Sequence, residues 1–232
     1  MAKENESKPI DVQAEEVKAG EGEGLRLGGS FLSTNVIYIG VAVVVLGIAA
    51  FLGWKYYNGT RNQEAAAEIF AAEYYFEKDS LDKALKGDGE FRGFMDIADD
   101  YKGTPVGDKA AFQAGVVLMR QGQFETAIDY LNQFRAGDQL VQARSYCLIG
   151  DCYLELENPK EAANYYSKAA DYRPNEQFTP TYLMKLALAY ELQKEYKSAF
   201  KTYEKLINQY PRSSELTDAK KYKGKVSALM TE

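Results

Sequence analysis

Cys147 and Cys152 are the only two thiols in the chain, and their spacing limits what they can do. On one helix, residues five apart stand roughly 140° apart around the axis. That divergence disfavours a disulfide between them. Two thiolates alone do not make a zinc site, so both cysteines are read as small, buried apolar residues. The sequence contains no His, which removes imidazole as nucleophile activator, metal ligand and proton shuttle. Asp99-Asp100 is read as a solvated helix edge rather than a metal site. Asn58-Gly59-Thr60 has the spacing of a glycosylation acceptor and is read as an unmodified turn. There is no phosphate loop, no G-x-S-x-G and no EF-hand loop. The expectation is a non-enzymatic chain, with no catalytic residue, cofactor or metal. The 28 basic and 34 acidic residues give a net charge of −6, which argues against a nucleic-acid partner.

With no reaction centre to build, the elements carry the reading. Val36 to Gly53 reads VIYIGVAVVVLGIAAFLG, 18 residues without a charge. Extended through Trp54, such a helix is about 28 Å long, close to the hydrocarbon thickness of a bilayer. Trp54, Lys55, Tyr56 and Tyr57 follow at once, as residues of a membrane interface do. The apolar core of a secretory signal is shorter and nearer the N-terminus, so a single uncleaved span over 35–57 is expected. A cleaved signal and a buried core helix are the rival readings. Two Lys/Arg flank the span on each side, so charge does not orient it. Ala49 and Gly53, four apart, leave room for a second helix. Residues 1–34 hold four basic and seven acidic residues and many glycines, the composition of a disordered acidic tail.

Beyond the span the sequence is helical. An Ala/Glu-rich helix is expected from Asn62 to about Lys78, and a short one is marked by Phe91, Phe94, Met95 and Ile97. Pro105, Pro159, Pro174, Pro180 and Pro211 punctuate the rest. From about Asp108 a period of 35–37 residues appears. Gly115, Gly150 and Ala187 are in register, followed at three residues by Leu118, Tyr153 and Tyr190. Ala127, Ala162 and Ala199 come at twelve, and Leu131, Tyr166 and Tyr203 at sixteen. Tyr146, Ile149, Gly150, Tyr153, Ala162, Tyr166, Ala169 and Pro174 fill all eight positions of the tetratricopeptide (TPR) pattern, and the chain resembles that family. The expected architecture is all-α: a single transmembrane helix followed by a TPR-type α-solenoid of antiparallel helix pairs. The boundaries are a helical linker and degenerate first repeat at 58–107, repeats at 108–142, 143–179 and 180–213, and a capping helix at 214–232. Turns are expected at Gly122-Gln123-Phe124, Glu157-Asn158-Pro159 and Lys194-Glu195-Tyr196. Small residues let paired helices touch, and Tyr153, Tyr166, Tyr190 and Tyr203 are expected to fill the gap to the next copy. Lys220, Lys221, Lys223 and Lys225 are expected to form a solvated outer face.

The TPR resemblance implies a groove lined by the first helix of each copy. Its usual positions fall on Lys109, Phe112, Val116, Met119 and Arg120; on Arg144, Cys147, Asp151, Leu154 and Glu155; and on Thr181, Met184, Leu188, Glu191 and Leu192. An apolar groove bearing Met suits an adaptable peptide or helix. The alternative is a groove filled by the chain's own helices over 62–86.

The order of parts narrows the resemblance. The span ends in Leu52-Gly53-Trp54-Lys55-Tyr56-Tyr57-Asn58, and Ala65-Ala66-Ala67 and the repeats follow. This is similar to the YfgM family, ancillary subunits of the bacterial SecYEG translocon. The resemblance implies an inner-membrane protein with a cytoplasmic N-terminus and a periplasmic TPR domain. It also implies as partners SecYEG, a PpiD-like periplasmic chaperone and newly exported client proteins. The longer tail and Asn208-Gln209-Tyr210-Pro211-Arg212-Ser213 depart from the family. The second stretch is closer to TPR lipoproteins of outer-membrane assembly, which leaves an adaptor or client binder for another envelope complex as the alternative function.

Overall fold

The computed structural model describes residues 26–27, 30–31, 34–135 and 139–230. Two short strands, β1 (Arg26–Leu27) and β2 (Ser30–Phe31), pair antiparallel with Arg26 opposite Phe31. These four residues depart from the expected disordered tail; the rest of that expectation, apart from Thr34, lies outside the described residues. Among the described residues ten helices follow: α1 (Thr34–Glu77), α2 (Leu81–Lys86), α3 (Phe94–Asp100), α4 (Pro105–Arg120), α5 (Phe124–Gln133), α6 (Gln139–Glu155), α7 (Pro159–Asp171), α8 (Thr179–Leu192), α9 (Tyr196–Gln209) and α10 (Leu216–Leu229). The chain divides into two units between Gly53 and Trp54.

In the first unit the apolar part of α1 is exposed throughout its most hydrophobic stretch. Its length and apolarity are those of a membrane span, a test that signal sequences also pass. The absence of burial removes the core-helix reading. The expected turn at Asn58-Gly59-Thr60 is not formed: α1 runs through it without a break. A single glycine costs a helix only about 1 kcal/mol, and Thr60 Oγ1 donates to the Tyr56 carbonyl at 3.3 Å without leaving the helix.

In the second unit α4/α5, α6/α7 and α8/α9 are antiparallel pairs, and α10 packs on α9. The three turns joining the pairs share one geometry. Gly122, Glu157 and Lys194 have φ of 73°, 54° and 61°. The next residue's N–H donates back five residues: Gln123 to Leu118, Asn158 to Tyr153, Glu195 to Tyr190. This left-handed helix stop satisfies carbonyls that a helix end leaves open.

The same stop occurs a fourth time. Asp79 has φ 57° and Ser80 N–H donates to the Tyr75 carbonyl at 2.9 Å. Ala72 and Ala84, both fully buried, stand where the later copies place Gly115, Gly150 or Ala187 and Ala127, Ala162 or Ala199. The end of α1 therefore acts as the first helix of a leading layer. Its second helix, α2, stops at Gly87, where φ is 83°. A Cβ at Gly87 would meet the Phe91 carbonyl oxygen at 2.2 Å, so the chain turns there and restarts as α3. Phe91 lies outside that helix, contrary to expectation.

Close approach within each pair follows from the small residues. A Cβ on Gly115 would sit 2.6 Å from Leu131, and one on Gly150 would sit 2.6 Å from Tyr166. Tyr166 thus fills the space inside its own copy, not the gap to the next. Thr104 and Asn158 cap α4 and α7 by accepting the N–H of Gly107 and Glu161, each ahead of a Pro at the first helical position.

Candidate protein-binding face

The first helices of the four layers are the end of α1, then α4, α6 and α8. The turn register aligns Glu73, Val116, Asp151 and Leu188 along one line. A second line joins Glu77, Arg120, Glu155 and Leu192. The expected groove residues fall on and beside these lines, but they do not share one role.

Cys147 is buried rather than lining, while Phe112 shares the half-buried state of Val116 and Met119. Phe112 is half-buried, with its ring 5.1 Å from that of Phe134. Cys147 is 6% exposed in the core that holds Ala143, Tyr166 and Tyr182. Burial pushes its thiol up to about 12, with the Asp151 carboxylate adding to the shift. Burial and Asp151 also push the Cys152 thiol up to about 12. Neither is in a disulfide.

Asp151 and Glu191 are committed inside the fold. Asp151 Oδ1 accepts from the Tyr166 hydroxyl at 2.6 Å, and Lys185 Nζ lies 2.6 and 2.8 Å from the two carboxylate oxygens. Glu191 accepts from the Tyr203 hydroxyl at 2.6 Å and pairs with Lys225 at 3.1 Å. Glu68 does the same for Tyr101, at 2.9 Å, and Arg92, at 3.2 Å. Each assembly joins a tyrosine, a carboxylate and a cation. The buried hydroxyl needs an acceptor, and the cation lies against that same carboxylate. Burial first, and then the bonded carboxylate, raise the pKa of Tyr166 and Tyr203 well above the usual tyrosine value.

Two of the expected solvated lysines are therefore paired. Lys225 binds Glu191, and Lys223 binds Glu204 at 2.9 Å with its Nζ 4.6 Å from the Phe200 ring centre. The Asp99-Asp100 edge is also used: Asp99 accepts from the Tyr130 hydroxyl at 3.0 Å and Asp100 pairs with Arg92 at 2.8 Å. Among the described residues no cluster of three metal-ligating side chains occurs.

The remaining lining is apolar and graded along the stack. Val116, Met119, Leu154 and Met184 are half-buried, and Arg120 is exposed with its guanidinium carbon 5.1 Å from the Phe76 ring centre. Leu188 and Leu192 are 47% and 58% exposed. No described segment covers them. The helix that the alternative reading placed in the groove is instead part of the leading layer. Asn62 Oδ1 accepts the Val106 N–H at 2.9 Å, Glu73 pairs with Lys109 at 2.5 Å, and Ala65, Ile69 and Ala72 are buried. Trp54, Lys55, Tyr56 and Tyr57, the expected interface residues, are all exposed on α1.

Lys185 was not singled out from sequence, and Lys225 was read only as part of a solvated face. Their signal was a separation of 34 residues from Asp151 and from Glu191, one layer of the stack. Leu140 and Phe178, 49% and 37% exposed, also escaped the pattern, because they lie at or before the first turns of α6 and α8.

Comparison with known proteins agrees with this geometry. A tetratricopeptide repeat-like domain matches residues 30–139, and tetratricopeptide repeats match 143–176 and 182–213. The chain is 26% identical over 111 residues to Protein FLUORESCENT IN BLUE LIGHT, chloroplastic, of Arabidopsis thaliana. That match covers 46% of this chain and 34% of the plant protein, so the chain spans about a third of that relative's length. A crystal structure of MamA protein superposes with a TM-score of 0.52 at 17% identity, covering 72% of this chain and 88% of that one. A second MamA structure gives 0.49 at 20% identity, over 68% and 92%. At such identity the likeness is one of fold. The layered helix pairs, their shared turns and these three matched segments make the chain a tetratricopeptide-repeat α-solenoid preceded by one long apolar helix.

Proposed function

We propose that the chain is a membrane-anchored TPR scaffold that takes a helical or extended segment of a protein partner against its first-helix face. The observation that carries this reading is the exposed pair Leu188 and Leu192 beside Leu154 and Met184. Asp151 and Glu191 are used internally, so the binding surface selects apolar side chains with Arg120 and Glu155 at its edge. Apolar anchors in a rigid helical scaffold are the usual basis of such recognition.

The similarity of the membrane exit, Gly53-Trp54-Lys55-Tyr56-Tyr57-Asn58, to the YfgM family supports a finer placement. In that placement the tail is cytoplasmic and the repeats stand in the periplasm of a bacterial envelope. The chain then assists newly exported proteins at the exit of the SecYEG translocon, together with a PpiD-like chaperone. An adaptor for another envelope complex is the second reading, favoured by Asn208–Ser213. A photo-crosslinkable residue at Leu192 in intact cells tests both. Adducts with SecY or the chaperone support the translocon, and adducts confined to other envelope proteins support the second reading. An adduct-free Leu192, with an active crosslinker at Tyr57 as control, contradicts partner binding at this face.

A further inference from the structure

The turns at Asp79, Gly122, Glu157 and Lys194 lie at one edge of the solenoid, and the connections between layers lie at the other. Contacts run along this second edge. Asn62 of α1 accepts the Val106 N–H at 2.9 Å, the Tyr146 ring lies 5.8 Å from that of Tyr172, and Thr181 donates to Glu215 at 2.7 Å. It is also the side on which α1 carries Trp54, Lys55, Tyr56 and Tyr57, all within the second unit. The Arg61 guanidinium carbon lies 5.6 Å from the ring centres of both Tyr57 and Tyr101. Tyr57 precedes Arg61 by four residues, about 6 Å along the helix. The headgroup layer on each side of a bilayer is about 5–8 Å deep.

The exposed surface of this edge carries both signs of charge and apolar side chains. Each of the four connections exposes one cation that forms no ion pair among the described residues: Lys102, Arg135, Arg173 and Arg212. Arg135 also donates to the carbonyls of Asn132 and Phe134 at 2.6 and 3.0 Å. Leu140 and Phe178, 49% and 37% exposed, stand at the starts of α6 and α8. Lys102 and Arg135 share a cleft of about 310 Å³ with Asp108 and Asp129, and Arg212 shares one of about 470 Å³ with Glu176. Asp99, Asp100, Asp171 and Glu215 are already bonded to Tyr130, Arg92, Lys205 and Thr181. Guanidinium and ammonium groups pair with phosphate oxygens, and carboxylates pair with an ammonium. A purely anionic headgroup would be repelled by the clefts' carboxylates, whereas one bearing a phosphate and a primary ammonium suits both signs.

We infer that this edge docks on the bilayer that holds the anchor. Its cations meet the phosphates and its cleft carboxylates the primary ammonium of phosphatidylethanolamine-type headgroups, while Leu140 and Phe178 enter the interface. The inference rests on the membrane-anchor reading.

The test uses the full chain in vesicles of phosphatidylethanolamine and phosphatidylcholine, with a nitroxide quencher on the headgroups. Gln177→Cys, at this edge, or Lys194→Cys, at the opposite one, carries an environment-sensitive dye. Cys147 and Cys152 are buried and do not take it. Quenching at position 177 should exceed that at 194 roughly threefold. It should fall to the level of position 194 in Arg173→Glu plus Arg212→Glu, with circular dichroism unchanged, and at least halve in vesicles of phosphatidylcholine alone. Equal quenching in the two kinds of vesicle overturns the headgroup assignment. A dye at 177 shielded from water yet unquenched means that protein covers the edge, and overturns the docking. Flotation separates the two readings. A chain that floats with the vesicles while 177 is quenched no more than 194 overturns the docking and leaves the anchor standing; a chain that does not float overturns both.

Discussion

Lys185 on α8 reaches back one layer to Asp151 on α6, its Nζ within 2.8 Å of both carboxylate oxygens, while Asp151 also accepts the Tyr166 hydroxyl. One carboxylate thus ties a helix pair together and ties it to the next. Asp151→Ala leaves the hydroxyl of the fully buried Tyr166 without its acceptor. The expected loss is about 1–3 kcal/mol. Lys185→Met should cost less than about 1 kcal/mol, because that side chain is a third exposed. Thermal unfolding of the two variants checks the order; a Lys185 effect larger than the Asp151 effect contradicts it.

The glycines make a paired prediction. Gly150→Ala forces a Cβ onto the Tyr166 ring and should destabilise by about 1–3 kcal/mol. Gly224→Ala, where nothing lies within 4 Å, should stabilise α10 by up to about 1 kcal/mol. Denaturant midpoints of opposite shift are the expected result.

Asp88 predicts an acid response. Its carboxyl is lowered to about 2, first by the Tyr75 hydroxyl and then by the N–H groups of Phe91 and Glu90. An unfolded Asp titrates near ~4. Between those values the unfolded chain binds more protons, so this contribution is complete above about pH 4 and fades as pH falls toward 2. Asp88→Asn should therefore show a shallower loss of denaturant midpoint between pH 5 and 2.5 than the parent chain. Equal slopes would contradict the assignment.

The thiols predict a kinetic result. Burial holds Cys147 and Cys152 protonated at pH 8, and the thiolate is the reactive form. A thiol reagent should label neither in the folded chain and both in denaturant. Rapid labelling of Cys147 in the folded chain would mean that it lines an open groove after all.

The repeats were legible because the pattern is physical: Gly115, Gly150 and Ala187 mark where two helices touch, and Pro105 and Pro159 mark helix starts. The leading layer was only half legible. Ala72 and Ala84 keep the register, but Gly87 ends the second helix where the later copies continue to Leu131, Tyr166 and Tyr203. Asn58-Gly59 suggested a turn because those residues favour one in isolation, yet the helices on either side outweigh a cost of about 1 kcal/mol. The roles of Asp151 and Glu191 were hidden. Position alone made them groove charges, and only the third dimension shows the tyrosine beneath and the lysine from the next layer.

Partner capture by this chain depends on the exposed end of the first-helix face. Its most direct measurement is the set of proteins that co-purify, in mild detergent, with the parent chain and with Leu188→Asp plus Leu192→Asp. Both leucines are about half exposed, so the fold should be unchanged within about 0.5 kcal/mol. The protein partners recovered with the parent chain should fall at least tenfold in the variant, with the yield of the chain from the membrane fraction unchanged. An identical set of partners at equal yield would contradict it.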